Sequence, residues 1–466
     1  MIPARPGDED TICAISTAPG VGAISVIRVS GSKALSTVSR LAPFLVSCPE
    51  SHRLYFGSLK DPASGDLVDE VLIAYFANGR SFTGEETIEI SCHGGDAISS
   101  RILELLIGQG ARLARPGEFT YRAFLNGRVD LVQAEGILGL IESRSKESSA
   151  AALSQLKGEL SRKFSAIEDD LVWIGAQLEA SIDFSSDGIE LKPSKDLLDR
   201  AQRLNSRVGD LISSYQKGRL LRNGLAVALV GSPNAGKSSL LNAIVEEERA
   251  IVTDQPGTTR DWIEVETRFH GTPIRWIDTA GIRETRDVVE KLGVEKSLHA
   301  RNTADAVVVV IDISDTDWRV GFSDFVRGAK KAEHYFFNKI DLDRTGEWRA
   351  TAEAEAERLG VAGRTVFGSA VTGDGIGELK TMIAGPLREI EGVGGAGLVT
   401  QARHVEGLKK IQGSVVKALN LIEKDASPEL IAYELQVGLK AVHELLGKVF
   451  HEQVIDRIFK EFCLGK

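Results

Sequence analysis

At 466 residues the chain is too long for a single hydrophobic core and asks for about three domains. Its formal net charge of −10 serves solubility and repels nucleic acid on average, so any RNA contact needs a local basic patch or a partner protein. No apolar run is long enough for a bilayer span, and Met1–Ile15, with Asp8, Glu9 and Asp10, lacks the apolar centre of a secretory signal. Cys13, Cys48, Cys92 and Cys463 make no CxxC pair, which argues against a zinc or disulfide framework and fits a reducing cytoplasm.

Residues 10–124 read as mixed strand and helix. Ile24–Val29 and Val71–Phe76 are strand candidates, and glycines at 20, 22, 31, 79, 84, 94 and 95 punctuate them as turns. From about residue 130 the period changes. Leu153, Leu156, Leu160, Phe164, Ile167, Leu171, Ile174, Leu178 and Ile182 recur every three or four positions, which predicts one long amphipathic helix. Asp183–Pro193 interrupts it, and a second helix is expected over 194–221. Leu225–Gly231 is a short buried strand, and strand and helix then alternate to Leu387 as in a doubly wound α/β domain. Gly392–Gly397 is a flexible linker. Beyond it Leu408, Ile411, Val415, Leu419 and Ile422 form a helical stripe, and Ser427-Pro428-Glu429 opens another helix. There is no internal repeat. The α/β domain is therefore expected as an insertion between two helical segments that pack together.

Four elements in that insertion build a nucleotide site. Gly231-Ser232-Pro233-Asn234-Ala235-Gly236-Lys237-Ser238 is GxxxxGKS between an apolar strand and an apolar helix. Its backbone N–H groups and the helix N-terminus suit phosphates; Lys237 reaches the β- and γ-phosphates, and Ser238 ligates Mg²⁺. Ser239 follows inside the same turn. Asp278-Thr279-Ala280-Gly281 follows the apolar Ile274–Ile277: Asp278 suits the metal's water shell and Gly281 the γ-phosphate. Asn338-Lys339-Ile340-Asp341 follows Tyr335–Phe337, and the Asp341 carboxylate accepts from N1–H and N2–H₂ of guanine. Ser369-Ala370-Val371 would support the base through backbone N–H groups. Thr258-Thr259 lies in the intervening loop, with Thr259 placed to bind Mg²⁺ and sense the γ-phosphate. The residue after Gly281 is Ile282, which cannot orient water, so hydrolysis needs another water-positioning group and another positive charge. Together these point to a GTP hydrolase rather than an ATP-dependent enzyme.

VTDQPGTTRD (Val252–Asp261), DTAGIRE (Asp278–Glu284), RPGEFTYRAFLN (Arg115–Asn126), DLVQAEGILGLIES (Asp130–Ser143) and FCLGK (Phe462–Lys466) together resemble the MnmE (TrmE) family of tRNA modification GTPases over essentially the whole chain. The resemblance implies a multidomain fold of α/β and all-α parts. It comprises an N-terminal α+β folate-binding and dimerisation domain (1–124), a discontinuous helical domain (125–221 and 388–466) and an inserted Ras-like P-loop G domain (222–387). It implies a homodimer that joins the flavoprotein MnmG (GidA) in a heterotetramer. That assembly would attach a carboxymethylaminomethyl or aminomethyl group to C5 of the wobble uridine (position 34) of certain tRNAs. The one-carbon unit would come from 5-formyl- or 5,10-methylene-tetrahydrofolate.

Carried over by position, the family's K⁺ ligands fall on Asn234, Thr253, Gln255 and Thr258. The contact at Gln255 uses the backbone carbonyl. Thr253 and Thr258 also belong to the GTP site, and Glu290 matches the glutamate that orients the hydrolytic water. Folate contacts fall on Arg28, Glu89, Arg128 and Lys466; Arg128 stands where lysine is usual, which changes the geometry. Cys463 matches the family's terminal cysteine, with Leu464 where isoleucine is commoner. A regulatory GTPase of translation or ribosome assembly is the alternative, against which the long N-terminal and helical regions argue.

Overall fold

The computed structural model describes residues 9–185, 195–248, 263–269, 272–278, 301–329, 333–385, 397–424, 426–449 and 452–466. The chain divides into two compact units. One is Met1–Ile141 with Leu153–Ile212 and Arg403–Lys466; the other is Glu142–Ala152 with Ser213–Ala402.

The first unit carries a six-stranded sheet of β1 (Ile12–Ile15), β2 (Ile24–Ser30), β3 (Arg53–Lys60), β4 (Leu67–Phe76), β5 (Thr87–His93) and β6 (Arg112–Leu113). Its order is β3-β4-β5-β2-β1-β6, antiparallel except for the β1–β6 pair. Period-2 alternation sends Ile27, Val29, Val71, Ile73, Ile88 and Ile90 into one core with Ile102 and Leu106 of helix Asp96–Gly108. Arg28 and Glu89 stand opposite one another in the β2–β5 register.

The remainder of this unit is helical. The single helix expected from Leu153 onward is two helices, Lys146–Leu156 and Glu159–Ser185. Gly158, at φ +76°, breaks the chain between them, because a left-handed residue cannot continue an α-helix. The stripe itself holds beyond the break: Leu160, Phe164, Ile167, Leu171, Ile174 and Leu178 are all buried. The helix expected over 194–221 is likewise two, Lys195–Ser213 and Tyr215–Asn223, the latter belonging to the second unit. Ser427 opens helix Pro428–Leu446 with proline in its first turn. Glu168 of the long helix accepts hydrogen bonds from Lys448 Nζ at 2.6 Å and pairs with His443 Nε2 at 3.0 Å. Gly438 admits Ser414 of helix Ala402–Glu423 so closely that a Cβ there would lie 2.3 Å from the Ser414 hydroxyl.

The second unit is a doubly wound sheet of β7 (Leu225–Val230), β8 (Ile263–Phe269), β9 (Thr272–Asp278), β10 (Ala306–Asp312), β11 (Glu333–Asn338) and β12 (Thr365–Phe367). The order is β12-β11-β10-β7-β9-β8, parallel except for the β8–β9 hairpin. β7 is buried along its whole length, as a central parallel strand covered on both faces must be. Val227 and Leu229 join the core on one face, Ala228 and Val230 that on the other. Among the described residues no helix is long and apolar enough to cross a membrane.

Candidate functional site

The phosphate loop leaves β7 at Gly231, whose φ is +150°. A Cβ there would lie 2.2 Å from the Val310 carbonyl of β10, so the turn requires glycine. Asn234 takes a left-handed conformation (φ +62°) with its side chain exposed, and Ala235 turns inward. Gly236 (φ +95°) leads into helix Lys237–Glu248. The first-turn amides of that helix, beside the exposed Ser238 and Ser239, face the end where an anion is favoured. Lys237 is buried, and its ammonium donates to the carbonyls of Gly231 at 2.9 Å and Ser232 at 2.8 Å. The cation therefore lies across the loop it would share with a phosphate.

Asn338 ends β11 with 2% exposure. Its Nδ2 donates to the Ala235 carbonyl at 2.9 Å and its Oδ1 accepts the Ala370 N–H at 2.9 Å. One side chain thus ties the phosphate loop to the Ser369-Ala370-Val371 loop. Lys339, at φ +70°, donates to Asp312 Oδ2 at 2.5 Å, and Asp312 also accepts from the Ser314 hydroxyl and N–H. Burial opposes ionisation of Asp312, but Lys339 and Ser314 hold its carboxyl below the ordinary range. Asp312 is a residue the motif reading missed. Its signal is the single acid closing the apolar run AVVVVID. Asp341 follows in the short turn Ile340–Leu342 with its carboxylate exposed. The buried Ser369 hydroxyl accepts the N–H groups of Val371 and Thr372, which shapes the loop. These four segments accordingly converge on the carboxyl ends of β7, β10, β11 and β12, where ligands sit in doubly wound sheets.

The Asp278 backbone ends β9 beside Leu229; its side chain is outside the described residues. So are Thr253, Gln255, Thr258, Thr259, Gly281, Ile282 and Glu290.

Gly236 supplies a test of the cradle. A Cβ there would meet Asn338 Nδ2 at 2.2 Å, displacing the amide that joins the two loops. Its left-handed backbone adds about 1–2 kcal/mol of strain for any L-residue. Gly236→Ala is expected to weaken GTP binding by about ten-fold or more, measured by fluorescent-nucleotide titration, with little change in the melting temperature of the rest of the chain. Parental affinity would show that the loop is not the phosphate cradle.

A second constellation lies in the first unit. Arg28 donates to Glu89 Oε1 from Nε at 2.9 Å, and its guanidinium lies 5.5 Å from the Phe119 ring and 5.8 Å from the Phe82 ring. The chain's last residues dock beside it. The Phe119 N–H donates to the Lys466 carbonyl at 3.2 Å and the Ser16 hydroxyl to the Gly465 carbonyl at 3.1 Å. Gly465, at φ +90°, touches Ile15 so closely that a Cβ would lie 2.3 Å from its carbonyl. Cys463 is exposed in the same tail. Arg128 is apart from the Arg28–Glu89 pair in its contacts, its side chain lying along Gly84. The cation–carboxylate pair is thus flanked by two aromatic rings, one of which, Phe119, belongs to the residue that holds the Lys466 backbone.

RPGEF is explained by Glu118, which is 2% exposed. It accepts Arg112 at 2.7 Å, Arg115 at 3.2 Å, Arg122 at 3.2 Å and the Arg115 N–H at 2.7 Å. Burial works against ionisation, but Arg112, Arg115 and the Arg115 amide hold the carboxyl at about 2 instead of the ordinary 4.5. A depressed carboxyl stabilises the fold fully above its unfolded value and loses that contribution as pH falls toward its folded value. The window is therefore pH 4.5 down to about 2, and the amount is on the order of 3 kcal/mol. The stability gap between the parent and Glu118→Gln, from urea titrations, is expected to be large at pH 6 and to shrink toward pH 2.5. A gap independent of pH would contradict the assignment.

Two family descriptions match the chain: the GTP-binding protein TrmE N-terminus over residues 11–128 and the MnmE helical domain over residues 131–463. Curated relatives match throughout. The tRNA modification GTPase MnmE of Bdellovibrio bacteriovorus is 44% identical, with 98% of each chain covered. That of Moorella thermoacetica is 42% identical over 98% of this chain and 100% of its own. That of Alkaliphilus oremlandii is 38% identical over 98% and 99%. With a phosphate loop, a guanine-type NKID turn and full-length likeness to these proteins, the chain belongs to the MnmE family of tRNA modification GTPases.

Proposed function

We propose that this GTPase works as a homodimer with an MnmG (GidA) flavoprotein in a heterotetramer. The assembly adds a carboxymethylaminomethyl or aminomethyl group at C5 of wobble uridine 34 in certain tRNAs. The observation that carries the reading is the Asn338 bridge, which joins the phosphate loop and the guanine loop into one preorganised site in a chain with full-length MnmE relatives. Its working segments are 1–124 for folate and dimerisation, 125–221 with 388–466 as the helical domain, and 222–387 as the G domain, all in the cytoplasm.

The residues divide by role as follows. Asn234, Ala235, Gly236, Lys237, Ser238, Ser239, Thr253, Thr258, Thr259, Asp278 and Gly281 hold the phosphates. Asn338, Lys339, Asp341, Ser369, Ala370 and Val371 hold the base. Ser238 and Thr259 take Mg²⁺, which supplies charge neutralisation at the phosphates. Lys237 stabilises the developing charge and Glu290 orients the attacking water. Cys463 is a candidate functional thiol. Nucleoside mass spectrometry of tRNA incubated with GTP, the folate donor and the purified chain, with and without the flavoprotein, tests the reading. The modified nucleoside is expected only with both proteins. Its absence, with GTP turnover intact, would favour a purely regulatory GTPase.

Folate is proposed to bind at Arg28 and Glu89, with Arg128 and Lys466 contributing charge. Calorimetry with 5-formyl-tetrahydrofolate is expected to show affinity reduced about ten-fold or more when Leu464–Lys466 is deleted, since one charge-assisted bond is worth about 1.5–3 kcal/mol. Equal affinity for the truncated chain refutes the tail's role.

A further inference from the structure

The chain passes between the two units four times, at 141/142, 152/153, 212/213 and 402/403. Helix Leu131–Glu142, which carries the Asp130–Ser143 motif, runs up to the first passage and through it. It begins with a reciprocal cap: Asp130 accepts the Gln133 N–H at 2.8 Å, and Gln133 Oε1 accepts the Asp130 N–H at 3.0 Å.

Two glutamines then strap it to helix Lys146–Leu156, which spans the second passage. Gln133 Nε2 donates to the Leu156 carbonyl at 2.9 Å, and the buried Gln155 donates to the Val132 carbonyl at 2.9 Å. Gly136 permits this approach, since a Cβ there would lie 2.8 Å from the Leu156 nitrogen.

One turn on, Glu135 reaches the segment that returns through the fourth passage. The carboxylate is 2% exposed. It accepts Arg403 Nε at 2.9 Å and Arg403 NH2 at 3.0 Å, and it meets His404 Nε2 at 2.7 Å. Arg403 also donates to the Glu444 and Leu445 carbonyls at the end of helix Pro428–Leu446. The His404 ring packs on the edge of Phe164 at 5.6 Å. Burial opposes ionisation of Glu135, yet Arg403 and His404 hold its carboxyl at about 2.

A buried ionic node of this kind is a weak source of net stability, because well-packed apolar residues replace such nodes at little loss. What it supplies is register: the planar guanidinium meets the carboxylate through two parallel bonds, a geometry that a point-charge partner would not define. Here the register fixed is that of the helices leading to three of the four passages.

We propose that Glu135, held by Arg403 and His404, is the positioning residue that couples GTP turnover in the second unit to tRNA modification by the first. The inference rests on the reading that the chain takes part in the modification chemistry itself. The Glu135 partners Arg403 and His404 are neither nucleotide- nor folate-site residues; the node acts by fixing how helix Leu131–Glu142 transmits a change across the passages.

The test uses the full chain with its flavoprotein, GTP, the folate donor and tRNA. It reads modified nucleoside formed per GTP hydrolysed. Two variants are compared with the parent: Glu135→Gln, and Glu135→Met combined with Arg403→Leu, which removes the carboxylate and the guanidinium together. In at least one of them GTP turnover and melting temperature are expected to stay near the parent while the ratio falls about ten-fold or more. An unchanged ratio overturns the proposal. So does a loss of modification that only tracks loss of fold or of GTP turnover, because a merely structural node behaves that way. A parent protein that modifies no tRNA would instead sink the underlying functional reading.

Discussion

Replacing Asp341 with asparagine is expected to lower affinity for GTP by two or more orders of magnitude and to admit xanthosine triphosphate. The carboxylate stands exposed in the turn Ile340–Leu342, directly after the Asn338 bridge and the left-handed Lys339. Guanine presents two donors, N1–H and N2–H₂, to such an acceptor. An amide at 341 faces N2–H₂ with a donor and loses one bond, whereas the 2-oxo group of xanthine accepts from it. Sites built to hydrogen-bond a particular group discriminate against its absence by about 10⁴-fold or more. The two loops that frame the base do not depend on Asp341: Asn338 reaches Ala235 and Ala370, and Lys339 reaches Asp312. The substitution therefore changes the recognition group and leaves its mounting in place. Competition of GTP and xanthosine triphosphate for a fluorescent guanine nucleotide, on parent and variant, measures the switch. A variant that still prefers GTP by the parental factor contradicts the role of Asp341.

The nucleotide site was legible because its chemistry is local. Gly231–Ser238 and Asn338–Asp341 each place their key atoms within one turn of chain, so residue types and spacing carry the meaning. What joins them was not legible. The Asn338 amide spans to Ala235 across 103 positions of sequence, and Asp312 finds Lys339 only because β10 and β11 are adjacent parallel strands. The break at Gly158 was hidden by a stripe that resumes in phase after it: Leu156 and Leu160 keep helical spacing although the glycine between them is left-handed. Periodicity reports which face is buried, and two consecutive helices whose apolar positions stay in phase share that signal with one. In the N-terminal part RPGEF stood out as a motif without a mechanism. Its meaning is the Glu118 carboxylate gathering Arg112, Arg115 and Arg122, a set assembled from a strand, a turn and a helix. The Glu135 node is more distant still, since its partners lie 268 and 269 residues away.

GTP turnover is expected to be at least ten-fold faster in KCl than in NaCl at equal ionic strength. Phosphoryl transfer needs a cation against the charge that develops on the transferred group, and an arginine finger at that place is worth about 10³–10⁵-fold. Ile282, next to the DTAG motif, offers neither charge nor a hydrogen bond to water. We propose that a K⁺ ion compensates, held by Asn234. Its left-handed backbone (φ +62°) lifts an exposed side-chain amide from the middle of the phosphate loop, two residues before Gly236. The amide oxygen is a hard, neutral donor suited to a monovalent cation, and carbonyls of the Thr253–Thr258 loop are proposed to complete its shell. A shell spaced for K⁺ fits the smaller Na⁺ poorly. In the proposed sequence K⁺ orders that loop, two G domains pair, and Glu290 is brought to the attacking water. Asn234→Ala is expected to erase the difference between KCl and NaCl while retaining nucleotide binding, because the backbone N–H groups of the loop remain. Glu290→Ala is expected to slow turnover in KCl by about 10²–10⁴-fold, the usual worth of a positioned general base, with binding spared. Single-turnover hydrolysis in the two salts, with light scattering to follow pairing, measures all three effects. Equal rates in KCl and NaCl would remove K⁺ from the mechanism and leave the source of the compensating charge elsewhere in the assembly.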